Sequence, residues 1–252
     1  QAARSISYPL MALHFIVDTP EQLAGESVTL TGPEAHHAAA VRRVRVGEAV
    51  TLGDGVGTWV SGTVTSVAPK LVEISLDERR HIADENPRIV LVQALAKGDR
   101  DERAVEAATE LGVSAIVPWQ ASRSVSRWDA GKVAKGVARW QSIAREASKQ
   151  AHRAWVPVVS DPVTTAQLTA RAGEVSIVVL EPSASDALTT LSLPKDRDVW
   201  LVVGPEGGIT PEELATLANA GATLSRMGTT VLRTSTAGPA ALAALSVVLG
   251  RW

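Results

Sequence analysis

The chain has 252 residues, 45% of them hydrophobic, and its 25 basic and 27 acidic side chains leave a formal net charge of -2. This length favours two domains, and no stretch approaches the roughly 20 uninterrupted apolar residues of a membrane-spanning helix, so we expect a cytoplasmic protein without membrane contact. The absence of cysteine excludes disulfides, thiolate metal sites and cysteine nucleophiles.

The first 80 residues contain short strand patterns separated by turns. Residues 1–10 precede a methionine and show no pattern, so we expect an expression tag or a disordered leader there. Strand-like runs follow at 28–30, 49–52, 59–64 and 71–76, with a short helix at 33–41. These runs predict a small β-barrel at 11–80. The polar stretch 77–88 predicts a linker, and we place the boundaries of that linker at 81–88.

Strand and helix patterns alternate from residue 89 onward. A strand at 89–94, a helix at 101–111 and a strand at 115–118 form a unit whose length is typical of parallel pairing. Further patterns predict a long helix at 132–153, strands at 177–180 and 199–203, and helices near 212–220 and 239–249. Residues 89–252 are therefore predicted to form an α/β domain with a parallel sheet.

Positive charge is concentrated in the middle of the chain. Residues 88–155 hold 12 basic and 7 acidic side chains, whereas 11–80 and 156–252 each hold 6 basic and 9 acidic ones. This asymmetry predicts that one region contacts a polyanion. A solvated face with a few ion pairs is the plainer alternative. Between 123 and 153, however, 8 basic residues face only 2 acidic ones, which favours contact with an RNA backbone.

Two turns near the end of the chain predict a small-molecule site. Gly204-Pro205-Glu206-Gly207-Gly208 follows the strand at 199–203, and a second turn runs from Met227-Gly228 to Val231-Leu232-Arg233-Thr234. Glycines at the carboxyl ends of parallel strands let backbone groups approach a ligand, although a tight turn without a ligand is also possible. The first turn matches neither phosphate loops nor dinucleotide loops in its spacing. Its Glu206 would repel phosphate and attract a cationic group such as a sulfonium.

These two turns resemble the cofactor loops of the SPOUT methyltransferases, and most closely those of the ribosomal RNA small subunit methyltransferase E family. The resemblance covers nearly the whole chain and includes His14-Phe15-Ile16-Val17, the stretch 36–43, Arg123-Ser124 and the run 139–147. It implies a PUA-like, RNA-binding β-barrel followed by a SPOUT-type parallel sheet with a trefoil knot, in a homodimer. The activity that it implies is S-adenosyl-L-methionine-dependent methylation of uridine N3 in 16S ribosomal RNA of the small subunit.

The resemblance also assigns roles to residues. Three loops would hold S-adenosyl-L-methionine, through Leu180, Glu181, Pro182, Gly204, Pro205, Glu206, Gly207, Gly208, Met227, Gly228, Val231, Leu232 and Thr234. Arg233 would stabilise negative charge on the uracil, and Glu206 would orient the cofactor or assist proton removal. Their plainer roles are an ion pair beside a helix and a backbone cap. Independently of the resemblance, the residues expected to contact RNA are His37, Arg42, Arg43, Arg123, Arg127, Lys132, Lys135, Arg139, Lys149 and Arg153. Lys132, Lys135, Arg139, Lys149 and Arg153 share one face of the predicted long helix.

One position departs from the family pattern. A glutamate commonly follows the Arg-Thr pair, whereas this chain has Ser235, a residue type that also suits a helix start. Two other functions therefore stay open: a non-catalytic RNA-binding or ribosome-assembly protein with the same fold, and an unrelated α/β enzyme that binds another adenosine-containing ligand. We expect no metal site, because the histidines are scattered and no acidic cluster joins them.

Overall fold

The computed structural model describes residues 12–252, so the tag or leader expected at 1–10 lies outside the described residues. The described part of the chain divides into two compact units. One unit comprises the described residues up to Ala83 together with Ser148–Trp155. The other comprises Asp84–Ala147 and Val156–Trp252.

The first unit is built on a five-stranded sheet. Its strands are β1 (Leu13–Ile16), β2 (Ser27–Leu30), β3 (Ala49–Gly53), β4 (Thr58–Ala68) and β5 (Leu71–His81), in the order β1-β3-β4-β5-β2. β1 runs parallel to β3, and the other pairs are antiparallel. In this order β1 and β2 are edge strands, so the expected barrel takes the form of a sheet with two edges.

Short helical segments complete the first unit, together with residues Ser148–Trp155 from later in the chain. A 3-10 turn forms at Pro20–Leu23, and α1 (Gly32–His36) continues as a π-helical segment at His37–Arg42. The apolar core includes Phe15, Leu52 and Ile74.

The linker predicted at 77–88 begins later than its polar composition suggests. Its first five residues form the end of β5, where Arg79 and Arg80 pair with Val60 and Trp59 of β4. Polar side chains are compatible with an antiparallel strand whose outer face meets water, so their polarity does not interrupt the backbone pairing.

The second unit contains a six-stranded sheet in which every pair is parallel. Its strands are β6 (Ile89–Ala94), β7 (Ala115–Trp119), β8 (Val158–Val159), β9 (Ser176–Leu180), β10 (Val199–Val203) and β11 (Thr223–Ser225), in the order β11-β9-β10-β6-β7-β8. The prediction of an α/β domain with a parallel sheet is confirmed.

Five helices accompany this sheet along the chain. They are α2 (Arg100–Glu110), α3 (Ala130–Gln150), α4 (Thr165–Thr169), α5 (Pro211–Asn219) and α6 (Thr234–Val248), and a 3-10 turn forms at Leu188–Thr190. Successive residues of β10 enter different cores: Leu201 packs in a core that contains Trp140 of α3, and Val202 packs in one that contains Leu217 of α5. Burial of both faces explains why this strand is apolar throughout.

The last helix begins five residues before the predicted start. The sequence places Pro239 at its beginning, whereas the structure starts α6 at Thr234 and leaves Pro239 inside the helix. The first turn is anchored by the Thr234 hydroxyl, which donates to the Gly204 carbonyl and accepts from the Gln93 amide. Both partners are distant in sequence, so no local pattern signals this start.

Candidate active site

A cavity of about 460 Å³ lies at the carboxyl ends of β9 and β10. This volume falls within the roughly 300–1,000 Å³ of typical small-molecule sites. Three segments form most of its wall: the loop after β9, the loop after β10 and the segment that leads into α6. The lining residues are Arg100, Leu180, Glu181, Pro182, Val203, Gly204, Pro205, Glu206, Gly208, Ile209, Met227, Thr230, Val231, Leu232, Arg233, Thr234 and Ala237.

The structure brings nearly all of the expected cofactor residues together at this cavity. Gly207 and Gly228 are the two that do not line it. The Gly207 carbonyl accepts a hydrogen bond from Arg123 Nη1 at 3.0 Å, so its backbone faces a basic side chain. Gly228 adopts a φ of 99°, a left-handed conformation that glycine tolerates without strain. Its contribution is therefore to the turn itself.

The loop after β10 is shaped by close packing and by the start of α5. A Cβ atom at Gly204 would lie 2.7 Å from Ile209 Cγ1, so no larger residue fits there without a shift. The Thr210 hydroxyl accepts from the Glu213 amide at 3.2 Å, and Pro211 occupies the first helical position. This capping arrangement fixes the point at which the loop ends.

Thr234 joins two walls of the cavity through its buried hydroxyl. Thr234 Oγ1 donates to the Gly204 carbonyl at 2.8 Å and accepts from Gln93 Nε2 at 2.9 Å. Gln93 lies in β6 and is fully buried. Gln93 is not among the predicted site residues, although it is the polar interruption in an apolar strand, which is the signal that could have identified it.

Glu206 is engaged by groups at the start of α2. Its Oε1 lies 2.8 Å from Arg100 Nη1 and accepts from the Lys97 amide at 3.0 Å. Burial raises the pKa of the Glu206 carboxyl, but backbone hydrogen bonds and Arg100 outweigh it, so the pKa is lowered overall. A carboxylate with a lowered pKa is a weak base, which favours an orienting role over proton removal. Arg100 already pairs with the negative charge of Glu206, so Glu206 would not serve a bound sulfonium exclusively.

Arg233 has a different environment from Arg100. It immediately precedes α6, lines the cavity and is exposed. Within residues 12–252 its guanidinium makes no hydrogen bond or ion pair, so the ion pair considered for it beside the helix is not seen. Ser235, where the family pattern has glutamate, lies half-buried in the first turn of α6 and does not line the cavity. A positive charge without an ion-pair partner among residues 12–252 thus lines the cavity.

The residues expected to contact RNA fall into two groups. In the first unit, Arg42 and Arg43 are exposed and His37 is half-buried. In the second unit, the exposed members are Arg123, Arg127, Lys132, Lys135 and Arg139. Two of these are paired: Lys132 lies 3.1 Å from Asp129, and Arg139 lies 2.7 Å from Glu102.

Lys149 and Arg153 differ from the exposed basic residues. Lys149 is buried, and its Nζ lies 2.7 Å from Glu34 Oε1 in the first unit. A lysine that is desolvated against a carboxylate cannot present its charge to RNA, so it does not belong to the exposed basic face on which the helical pattern placed it. Arg153 is half-buried and follows the end of α3.

The part of the chain that the structure describes contains neither a cluster of metal-ligating side chains nor a membrane-spanning helix. Among residues 12–252, no group of three or more histidine, aspartate or glutamate side chains could hold a metal ion. In the same range no helix combines the length and the apolar character needed to span a membrane.

Comparisons with known proteins identify matches to both parts of the chain. A model of the RNA methyltransferase domain matches residues 84–246, and a model of the RNA methyltransferase PUA domain matches residues 30–77. The ribosomal RNA small subunit methyltransferase E of Mycobacterium bovis is 40% identical over 248 residues, which cover 96% of this chain and 94% of that protein. The Bacillus subtilis protein of the same name is 33% identical over 247 residues, with coverages of 94% and 96%.

A solved structure is similar over almost the same extent. It is a ribosomal RNA small subunit methyltransferase E from Neisseria gonorrhoeae bound to S-adenosyl methionine. The two structures superpose with a TM-score of 0.84 at 28% sequence identity, covering 94% of this chain and 98% of that one.

Proposed function

We propose a function from one premise, which is that this chain belongs to the ribosomal RNA small subunit methyltransferase E family. The proposed function is transfer of the methyl group of S-adenosyl-L-methionine to N3 of a uridine in 16S ribosomal RNA. Membership of this family makes the chain an S-adenosylmethionine-dependent rRNA methyltransferase. The observation that carries the proposal is the cavity at the carboxyl ends of β9 and β10, which both glycine-containing turns line.

The lining of the cavity suits this cofactor. Met227, Val231 and Leu232 offer apolar surface for the adenine ring and the carbon chain, and the backbone of Gly204 and its neighbours offers polar groups to the ribose and the ring edge. When bound, the cofactor supplies a methyl group on a positively charged sulfur.

We assign the charge-stabilising role to Arg233. Attack by uridine N3 requires that N3 lose its proton, which would pass to solvent, and that negative charge on the uracil be stabilised. The cofactor would leave as the neutral thioether S-adenosyl-L-homocysteine once its methyl group is transferred. A guanidinium without an ion-pair partner, placed at the cavity before the reaction begins, provides such stabilisation without reorganisation. Holding the uracil and the methyl group at a short distance would supply much of the remaining acceleration.

We propose that the C-terminal part of the chain forms a trefoil knot, an exception to the usual absence of knots. The loop after β9 lies against the segment between β11 and α6. The Arg226 amide donates to the Asp186 carbonyl, and the Leu188 amide donates to the Arg226 carbonyl. α6 then packs against the turn at Leu188–Thr190. These contacts support a chain that passes beneath the loop after β9.

The same proposal assigns functions to the two parts of the chain. Residues 11–80 would form the RNA-binding domain, 81–88 the linker and 89–252 the methyltransferase domain. The exposed residues Arg127, Lys132 and Lys135 support an additional contact with the RNA backbone, which would position the substrate without reading its sequence. A homodimer and a cytoplasmic site of action follow from the family and are proposed on that ground.

Calorimetry and a methyl-transfer assay test this function in sequence. We expect S-adenosyl-L-methionine to bind, and an absence of binding at millimolar ligand would refute the proposal in favour of an enzyme for another adenosine-containing ligand. We then expect transfer to small ribosomal subunits that lack the modification, with mass spectrometry locating the methyl group on uridine N3. Binding without transfer would identify a non-catalytic RNA-binding protein.

A further inference from the structure

An ion pair at the start of α2 holds one side of the loop 204–208. Arg100 is the first residue of α2, and its Nη1 lies 2.8 Å from Glu206 Oε1. The same oxygen accepts the Lys97 amide at 3.0 Å. The Arg100 side chain retains 48% of its exposure and that of Glu206 23%, so the pair is partly shielded from water.

The segment that carries Arg100 is itself well fixed. Asp101 is buried, and its Oδ2 accepts the Ala96 amide at 3.0 Å while its Oδ1 accepts the Glu102 amide at 2.9 Å. These bonds connect the end of β6 to the first turn of α2. The groups that hold Glu206 therefore belong to a braced part of the second unit.

The loop 204–208, by contrast, depends on anchors outside itself. Within the loop, the Gly208 amide donates to the Pro205 carbonyl at 2.9 Å. The other anchors are Thr234 on the Gly204 carbonyl, Arg123 on the Gly207 carbonyl, and Arg100 with Lys97 on Glu206. Three glycines make this loop flexible in isolation, because glycine has more backbone conformations to lose than any other residue.

We propose that Arg100 is a positioning residue for the methyl donor, which acts by pairing with Glu206 and so holds the loop 204–208 in the conformation that forms the cavity wall. This inference rests on the proposed function, since it takes the cavity to be the cofactor site. A loop released from one anchor spends less time in the binding conformation. The apparent Kd then rises in inverse proportion to the fraction of molecules that keep the binding conformation.

The geometry also separates this role from a direct contact. Arg100 lines the cavity, so the alternative is a bond from its guanidinium to the carboxylate of the cofactor. In that case Glu206 would compete for Arg100, and neutralising Glu206 would strengthen binding. If Arg100 acts through the loop, neutralising Glu206 weakens binding. The two roles predict opposite signs for the same substitution.

Calorimetry on the full chain with two ligands provides the test. The ligands are S-adenosyl-L-methionine and 5′-methylthioadenosine, which keeps the nucleoside and the sulfur but has no carboxylate. We expect Arg100→Ala and Glu206→Gln each to raise the Kd for both ligands by about 2- to 5-fold, the range for losing one partly shielded ion pair. The double variant should bind no more weakly than either single variant, because both remove the same interaction. Arg100→Lys should recover part of the loss.

Arg103→Ala is the matched control. Arg103 lies on the same helix and pairs with Asp99 at 2.8 Å, but it does not line the cavity. We expect this variant to bind both ligands as the wild type does and to melt within a few degrees of Arg100→Ala. At saturating cofactor, Arg100→Ala should keep a kcat within about twofold of the wild type while its KM for the cofactor rises.

Several results would overturn the inference. They are unchanged binding by Arg100→Ala, tighter binding by Glu206→Gln, or variants that bind S-adenosyl-L-methionine more weakly but bind 5′-methylthioadenosine as the wild type does. A fall in kcat at an unchanged KM would also overturn it. A wild-type chain that binds neither ligand would refute the proposed function instead.

Discussion

Replacing Thr234 with valine removes the hydroxyl that joins the loop after β10 to the start of α6 while leaving the side-chain volume almost unchanged. The hydroxyl makes two hydrogen bonds, to the Gly204 carbonyl at 2.8 Å and from Gln93 Nε2 at 2.9 Å. Thr234 is only 6% exposed, so water cannot replace them readily. An unsatisfied buried polar group costs about 1–3 kcal/mol. Gln93 Nε2 keeps its bond to the Ala94 carbonyl, which brings the expected loss to about 2 kcal/mol.

Thermal unfolding and cofactor calorimetry measure this loss. A loss of about 2 kcal/mol lowers Tm by about 4–8 °C in a chain of this size. Thr234→Ser keeps both hydrogen bonds and removes one methyl group, so its loss should be about 1 kcal/mol. The Kd for S-adenosyl-L-methionine should rise in the valine variant and change less in the serine variant, because the bond to Gly204 positions the cavity wall.

An exposed threonine supplies the control. The Thr216 hydroxyl donates to the Glu212 carbonyl on the surface of α5, so Thr216→Val should change the free energy of unfolding by less than about 0.5 kcal/mol. A Thr234→Val variant that melts with the wild type, or that is more stable than Thr234→Ser, would contradict this prediction. Either result would mean that the buried hydroxyl contributes less than the methyl group.

Three further predictions follow from other sites. Arg233→Ala should lower kcat by about 100-fold with little change in the Kd for the cofactor, and equal turnover would remove the role proposed for Arg233. Lys149→Met leaves the carboxylate of Glu34, whose side chain is only 14% exposed, without its partner and should cost about 3 kcal/mol in urea unfolding, whereas Lys132→Met, which breaks an exposed pair, should cost less than about 1 kcal/mol. Burial lowers the pKa of His14 from 6.5 to about 3, so the unfolded chain takes up this proton first as the pH falls. The stability present above pH 6.5 is lost as the pH falls towards 3, and the wild type should lose about 2 kcal/mol more than His14→Phe between pH 7 and pH 5. Parallel pH profiles would contradict this.

The parallel sheet could be predicted because its strands carry their own signal. Val199–Val203 is buried on both faces, which requires an uninterrupted apolar run that is visible in the sequence. β11, at Thr223–Ser225, has only three residues and is defined by its pairing with β9. A strand that short shows no alternation. The start of α6 escaped prediction for a similar reason, since its anchor lies in β6 and in the loop after β10.

The same distinction between local signals and distant contacts applies to the candidate site. Its loops could be recognised because glycines and the residues around them are contiguous in sequence. The partners of those loops could not, because Arg100 and Glu206 are separated by 106 positions. Lys149 was placed on an exposed face by helical spacing, but the spacing does not reveal that Glu34 packs against it.

The sequence by itself determined most of the longer strands and helices, the family resemblance and the loops of the cofactor cavity, because each is recorded in residues that are close together along the chain. Only the tertiary structure decided what holds those loops. Hydrogen bonds and ion pairs form between groups that folding brings within about 3 Å, and their geometry leaves no mark on local composition. That is why Glu206 was expected as a base or a charge for the cofactor, and is found as the partner of Arg100.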